Sequence, residues 1–417
     1  MTLSTPSVTC EFTLDNGLKV IVREDHRTPA ICATLLHKAG TRNEQPNQRG
    51  VAYITGGAAF KDKQRLQNIG ALANGWLDYD VSTYSLEAPR VAIQHVLELL
   101  AARMQPPVLS EDRLKVGIQK TKEMELAEPY FSSDLWITPE FESLIFPHAG
   151  PAFKFGDVDD LEQLTVSDVL LWHEQHYAPN NSVLVIVGDT SLEEVQPLVQ
   201  RIFATAPRIA PLTPTNPIPA PVYEGERKIT QYLDTPFPRL QMAINTPSLA
   251  TASEPLDIPA LQIISALLTS GPEAWIPRLL MEDSEALSSV VSRLPAYRLE
   301  DDLLLIALTT SEHNAVPLPQ IQENIQALLE TLKTTPLDDQ TLEYGRAQAL
   351  AHLESLDTLE MQGSIIGNLE VIGQPWQLID TQAQALHSVT SKDIQRVANA
   401  WFTPERMSVA HIFARKA

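Results

Sequence analysis

Two cysteines, Cys10 and Cys32, are all that the 417 residues contain. That excludes a disulfide framework and a zinc site built on cysteine. Both read as buried free thiols, which fits a reducing compartment. No apolar run approaches the roughly 20 residues needed to span a bilayer. The opening Met1-Thr2-Leu3-Ser4-Thr5-Pro6 lacks the basic, apolar and small-residue regions of a secretion signal. The expected location is cytoplasmic, or an organelle stroma or matrix if a targeting segment has been removed. Positive charge is also scarce, with 31 Lys and Arg against 52 Asp and Glu and a formal net charge of −21. Phosphate backbones are bound by a local excess of Lys and Arg, so no nucleic-acid surface is expected. An acidic surface serves solubility, and an acidic interior would receive basic peptides. The phosphate-binding patterns G-x-x-x-x-G-K-[ST] and G-x-G-x-x-G are missing, as is the G-x-S-x-G elbow of serine hydrolases.

What is present is an ordinary globular composition, 44% hydrophobic and 20% charged, in a chain too long for one core. Residues 11–23 read as a hairpin, because Asp15-Asn16-Gly17 supplies positive φ between two alternating apolar runs. A strand over Ala30–His37 leads through the polar loop Ala39–Arg49 to a short helix entered at Gly50. Leu66–Leu77 is expected to continue as helix, with a strand at Val81–Ala88. Helices are expected over Val91–Met104, Glu111–Ala127 and Asp160–Tyr177, and a buried strand over Ser182–Val187. Pro207, Pro211, Pro214, Pro217, Pro219 and Pro221 then impose stiff extended backbone. They mark a linker over 207–222 between an N-terminal domain, 1–206, and a C-terminal domain, 223–417.

The second half repeats the order of the first. Strands near Lys228–Leu233 and Arg239–Asn245 precede a helix at Leu256–Leu268. Strands near Val290–Leu294 and Leu303–Thr309 follow, then helices at Leu318–Leu332 and Asp338–Ser355. A helix at Ser391–Trp401 and a strand at Met407–Ile412 close the chain, much as Asn180-Asn181-Ser182-Val183 closes the first half. Two related α+β halves are the simplest account, each an antiparallel-rich sheet backed by helices.

The run Leu14-Asp15-Asn16-Gly17-Leu18-Lys19-Val20, the loop Ala39-Gly40-Thr41-Arg42-Asn43-Glu44 and the lead-in Gly50-Val51-Ala52 fall in a telling order. With Ala178-Pro179-Asn180-Asn181 and Val187-Gly188-Asp189, they resemble the pitrilysin/insulinase family of zinc peptidases in its short-subunit form. The resemblance covers almost the whole chain. It implies a metallopeptidase whose zinc helix carries H-x-x-E-H: two imidazoles one turn apart grip Zn²⁺ and the Glu activates water. In this sequence those positions hold Tyr53, Gly56 and Gly57. The third ligand, a Glu on a later helix, falls near Ser133 or Asp134, with Glu123 as an outside candidate. A lone carboxylate cannot hold a catalytic zinc.

The resemblance therefore points to the non-catalytic subunit of a heterodimeric zinc peptidase, with no cofactor on this chain. Zinc is expected on a partner that carries H-x-x-E-H, and a peptide substrate would lie in the chamber the two chains form. A homodimer is the other arrangement. A structural protein derived from a peptidase, like the core subunits of respiratory complexes, is an alternative, as is an active hydrolase with unrecognised ligands. Where the family places a substrate-binding Arg and Tyr, this chain has Met281 and Ser288, with Arg278 one turn before Met281. Arg278 would hold a peptide carbonyl or carboxylate, or else pair with Glu282 on the surface. Trp172-His173-Glu174-Gln175-His176-Tyr177 is one residue short of H-E-x-x-H, so its histidines read as structural.

Overall fold

The computed structural model describes residues 8–58, 63–127, 135, 137–147, 156–210, 217, 221, 223–280, 287–312, 314 and 316–415. Its strands are β1 (Thr9–Thr13), β2 (Lys19–Glu24), β3 (Ala30–His37), β4 (Leu72–Leu77), β5 (Ser82–Pro89), β6 (Ser182–Gly188), β7 (Arg227–Leu233), β8 (Arg239–Thr246), β9 (Leu287–Arg293), β10 (Asp302–Thr310) and β11 (Met407–Ala414). The helices of the first 203 residues are α1 (Val51–Ala58), α2 (Lys63–Asn68), α3 (Ile93–Ala101), α4 (Glu111–Ala127), α5 (Pro139–Ile145), α6 (Val158–Gln163), α7 (Val166–His176) and α8 (Leu192–Phe203). There follow α9 (Asp257–Thr269), α10 (Trp275–Leu280), α11 (Leu318–Thr334), α12 (Asp339–Ser355), α13 (Leu359–Val371), α14 (Leu378–Ser388) and α15 (Ser391–Trp401). Among the described residues, no helix is long and apolar enough to cross a membrane.

Two compact units result, and neither is continuous in sequence. Unit 1 gathers Met1–Glu125, Phe153–Thr215 and Leu356–Asp380; unit 2 gathers Leu126–Ala152, Asn216–Ser355 and Thr381–Ala417. The sheet of unit 1 runs β1-β2-β6-β3-β5-β4 and that of unit 2 runs β7-β11-β8-β10-β9. With β1 set aside, the two strand orders are the same. In each, the first strand pairs parallel with the last and every other pairing is antiparallel. The local signals repeat too. Thr165 and Asp168 form a capping box that starts α7, and Thr390 and Asp393 form the same box at α15. Both helices then run through a one-turn 3₁₀ segment, opened by Pro179 or Pro404, into the last strand of their sheet.

Two expected elements differ. Over Leu66–Leu77, helix α2 stops at Asn68, Gly70 takes a left-handed φ of 65°, and Leu72–Leu77 pairs with β5 as strand β4. Over Asp160–Tyr177 there are two helices, because Thr165 turns its side chain to the Asp168 N–H and starts a new one. Cys10 and Cys32 are both free, the first half-buried and the second buried, on strands separated by β2 and β6. Burial pushes the Cys32 thiol up to about 12.

Each sheet carries apolar packing on both faces. In unit 1, Val20, Leu35, Leu86 and Leu184 pack with Val96, Leu97 and Val169 of the helical layer. Ile21, Leu36 and Val185 pack on the other side with Leu359, Ile366 and Trp376 of the Leu356–Asp380 segment. In unit 2 the corresponding second layer is Phe141, Ile145 and Phe146 against Leu303, Leu305 and Ile412. Helix α13 lies close on β3 and β6 because it is glycine-stepped. A Cβ on Gly367 would stand 2.2 Å from Leu36 Cδ1, and one on Gly363 would stand 2.9 Å from Thr34 Oγ1.

Polar bonds tie the same segment down at its rim. Arg23 donates through Nε to Gln362 Oε1 at 2.8 Å and through Nη2 to Asp380 Oδ1 at 2.8 Å. Gln362 Nε2 donates in turn to Asp25 Oδ2 at 3.1 Å, and Trp376 Nε1 to Glu11 Oε2 at 2.7 Å. Hydrogen bonds from Arg27 hold the Asp25 carboxyl down to about 2. Gly367→Val is expected to lower stability by about 1–3 kcal/mol through overpacking. Gly117→Ala, whose Cβ meets only Ile54 Cδ1 at 3.8 Å inside α4, is expected to raise it by up to about 1 kcal/mol. Urea unfolding of both variants checks the pair, and a Gly367→Val protein as stable as wild type would contradict the close approach.

Candidate functional site

Helix α1 begins where Gly50, at φ 98°, turns the chain out of the Ala39–Arg49 loop. Glu44 caps it: Oε1 accepts from the backbone N–H of Gly50 at 3.0 Å and of Ala52 at 2.9 Å. Val51, Ala52, Ile54 and Thr55 are buried, Tyr53 and Gly56 are half-buried and Gly57 is exposed. The three positions that the sequence aligned with the zinc motif therefore lie on a formed helix packed against α7.

Beneath Gly56 is a stack of aromatic and cationic side chains. The Gly56 carbonyl accepts from Arg103 Nη2 at 3.0 Å. The Arg103 guanidinium lies 3.3 Å from the centre of the Tyr84 ring, a cation–π contact. Tyr84 Oη hydrogen-bonds Tyr177 Oη at 2.7 Å, and a Cβ on Gly56 would stand 2.9 Å from that same Tyr84 oxygen. His37 stacks on Tyr177 with ring centres 4.1 Å apart, and His173 stacks on it at 4.8 Å. Ser182 Oγ donates to the Ala178 carbonyl at 2.7 Å, so it accepts from His37 Nδ1 at 2.8 Å and fixes that tautomer. His173 Nε2 donates to the Arg103 carbonyl at 2.7 Å. Burial is the first cause that pulls His37 and His173 below the usual imidazole value, and the nearby Arg103 charge adds to it. Both stay neutral at pH 7.

A catalytic zinc takes about three protein ligands and an open position. Tyr53 offers one phenolic oxygen, while Gly56 and Gly57 offer no side chain, so the donor set on α1 does not fit that ion. Among the described residues, no three His, Cys, Asp or Glu side chains gather as a metal site. Ser133 and Asp134 lie outside the described residues. Glu123 is exposed on α4 and accepts from Gln119 Nε2 at 3.0 Å, an ordinary one-turn surface pair. Arg278 is exposed on α10 and pairs with Glu273; Glu282 and Met281 lie outside the described residues. Ser288 sits on β9 and donates to the Thr309 carbonyl at 3.3 Å. Unit 1 thus brings Tyr53, Gly56 and Gly57 together, whereas Arg278 belongs to unit 2. The sequence reading passed over Arg103 and His37 altogether. The only signal for them was a His and an Arg at otherwise apolar positions of a strand and a helix end.

A family profile described as Insulinase (Peptidase family M16) matches residues 19–147, and a second, described as Peptidase M16 inactive domain, matches residues 163–349. The chain belongs to the insulinase, or M16, peptidase family. "Zinc protease PqqE" of Helicobacter pylori (strain ATCC 700392 / 26695) is 25% identical over 94% of this chain and 89% of its own length. "Mitochondrial-processing peptidase subunit alpha-1" of Dictyostelium discoideum is 24% identical over 49% of this chain and 32% of its own length. The crystal structure of a protease from Helicobacter pylori superposes with a TM-score of 0.87 at 22% identity, covering 97% of this chain and 99% of that one. The α+β fold of two mixed sheets backed by helices is the M16 fold.

Glu44 gives this M16 helix a pH dependence. Burial pushes its carboxyl up to about 7, and Asp160 adds to that, against the opposing N–H groups of Ala52 and Gly50 and the charge of Arg49. A folded value above the unfolded one means the native state prefers the neutral acid. That stability is fully present below about pH 4.5 and is lost as pH rises through about 7. Glu44→Gln keeps an oxygen for the two N–H groups and removes the titration. It should melt higher than wild type at pH 8.5, by about 1–3 kcal/mol, and no higher at pH 4.5. Equal melting temperatures at pH 8.5 would contradict the raised value.

Proposed function

We propose that this chain is the non-catalytic subunit of a two-chain M16 zinc peptidase. It shapes the chamber and binds peptide for a partner that carries H-x-x-E-H and the zinc. What supports this reading is the content of α1: Tyr53, Gly56 and Gly57 are the residues that the resemblance aligns with the motif, and Tyr84 Oη lies against the position where a Gly56 side chain would begin. Water activation needs a base and a Lewis acid at one point, and this helix supplies neither. Its own role is then structural, pinned by Glu44 at one end and Arg103 at the other. The name of the Dictyostelium relative, a subunit of a processing peptidase, supports a place in a multi-chain enzyme.

Strand β4 supports the peptide-holding part of the reading. It is the last strand of its sheet among the described residues, pairs on one side with β5, and reads Leu-Ala-Asn-Gly-Trp-Leu with no charge. An uncharged edge offers backbone N–H and C=O groups to an extended chain. Arg278, on α10, is a separate candidate contact, which would exchange its Glu273 partner for a peptide carbonyl or carboxylate. In chain order we take the two repeated halves as 1–206 and 223–417, joined through 207–222, although 126–152 belongs to unit 2 and 356–380 to unit 1, and we place the site of action in the cytoplasm.

Native mass spectrometry of the complex purified at gentle ionic strength, with metal analysis, tests the reading. Two unlike chains with one zinc, and peptide cleavage by the pair but not by this chain, are the expected result. Stoichiometric zinc and cleavage by the isolated chain would overturn it, and a metal-free homodimer would favour a scaffold. In the pair, Arg278→Ala should raise KM for peptide about tenfold, roughly 1.4 kcal/mol of binding, with kcat unchanged. Unchanged kinetics would leave Arg278 as a surface ion pair.

A further inference from the structure

Unit 1 carries a concavity of about 360 Å³ between the loop after β3 and helix α7. That is the size of a small-ligand site. Its charged groups are already engaged. Arg42 Nε donates to Asp80 Oδ1 at 2.6 Å. Asp168 accepts from the Thr165 hydroxyl at 2.6 Å and from Gln48 Nε2 at 2.8 Å. Burial pulls the His176 imidazole down to about 4, so it is neutral at pH 7.

What remains for a ligand is polar and uncharged. Gln45 and Gln175 line the pocket with exposed carboxamides, each able to donate and accept. Trp172 and His176 line it as well, and both are more than nine-tenths buried, with ring centres 4.3 Å apart. The Trp172 indole Nε1 and the His176 Nδ1 have no hydrogen-bond partner. Buried polar groups are nearly always satisfied, so two adjacent exceptions in one pocket wall call for a reason.

We propose that this pocket binds an uncharged side-chain amide, that of an Asn or Gln residue. An amide carries one strong acceptor and an N–H donor in a single plane. Its carbonyl oxygen accepts from the Trp172 indole N–H, and its N–H donates to the unprotonated imidazole nitrogen of His176. The carboxamides of Gln45 and Gln175 complete the pairing at the mouth. A carboxylate ligand lacks the donor and meets no free cation here, so Gln is taken over Glu. The indole is 5% exposed and leaves no open ring face for a sugar to stack on. The site needs neither a partner chain nor a zinc, so its failure would leave the subunit reading standing, and the reverse holds too.

The test uses the full chain labelled with ¹⁵N at its indoles, with the Trp172 signal assigned by its loss in Trp172→Phe. Acetyl-Gly-Gln-Gly-amide is titrated, with acetyl-Gly-Glu-Gly-amide and maltotriose in parallel. The expected result is a saturable shift of the Trp172 N–H signal with the Gln peptide alone. Gln175→Ala, an exposed change, should weaken that binding about tenfold, as should His176→Phe. An equal response to the Glu peptide would overturn the amide assignment. So would a response to maltotriose alone, an undiminished response in Gln175→Ala, or no response to the Gln peptide at all.

Discussion

Strands β3 and β6 of one sheet and β8 and β10 of the other are buried along almost their whole lengths. A sheet buried on both faces needs a layer on each, because leaving one face of Val, Ile and Leu in water would forfeit about 25 cal/mol for every Å² uncovered. Helices α3, α7 and α8 in unit 1 and α9, α11 and α15 in unit 2 supply one layer. The other comes from elsewhere in the chain: Leu356–Asp380 in unit 1 and the segment around α5 in unit 2. From this requirement follow the discontinuous units, the small residues of α13 and the Arg23–Gln362–Asp25 bonds at its rim.

The same demand shapes the region under α1. Tyr84 on β5, His37 on β3 and Tyr177 at the end of α7 are brought together by strand register and by the α7-to-β6 turn. Their polar atoms then need partners inside the protein. The Tyr84–Tyr177 and His37–Ser182 bonds and the Arg103 guanidinium on the Tyr84 ring meet that need at every such atom but His37 Nε2. Arg103 in turn holds the Gly56 carbonyl. Tyr84, Tyr177, His173 and the Gly56 carbonyl are each held by a neighbour in the stack, while His37 Nε2 is buried without a hydrogen-bond partner.

Local signals in the sequence set most of the elements. The Asp15-Asn16-Gly17 turn, the apolar run Ala30–His37 and the amphipathic stretch ending at Pro106-Pro107 each name their own conformation through turn chemistry or period. Leu66–Leu77 misled because its apolar residues fit helical spacing as well as strand. Only pairing with β5 and the left-handed Gly70 decide for strand. Asp160–Tyr177 misled because Thr165 and Asp168 are acceptable in a helix interior, yet more favourable as a cap. Helices α5, α8, α10, α13 and α14 were not anticipated. Helix α13, with two glycines in its interior, reads as weak until the sheet it lies on is present.

The sequence by itself determined the family and the two repeated α+β halves. Each of these depends on residue types at fixed short spacings, and chain order preserves such spacings. Tertiary structure alone decided what lies beneath Gly56, which buried atoms lack partners in the α7 pocket, and which distant segment covers each sheet's second face. These depend on groups brought together across 47 residues, as Gly56 and Arg103 are, or 339, as Arg23 and Gln362 are. Burial and strand register, which no local window encodes, set those meetings.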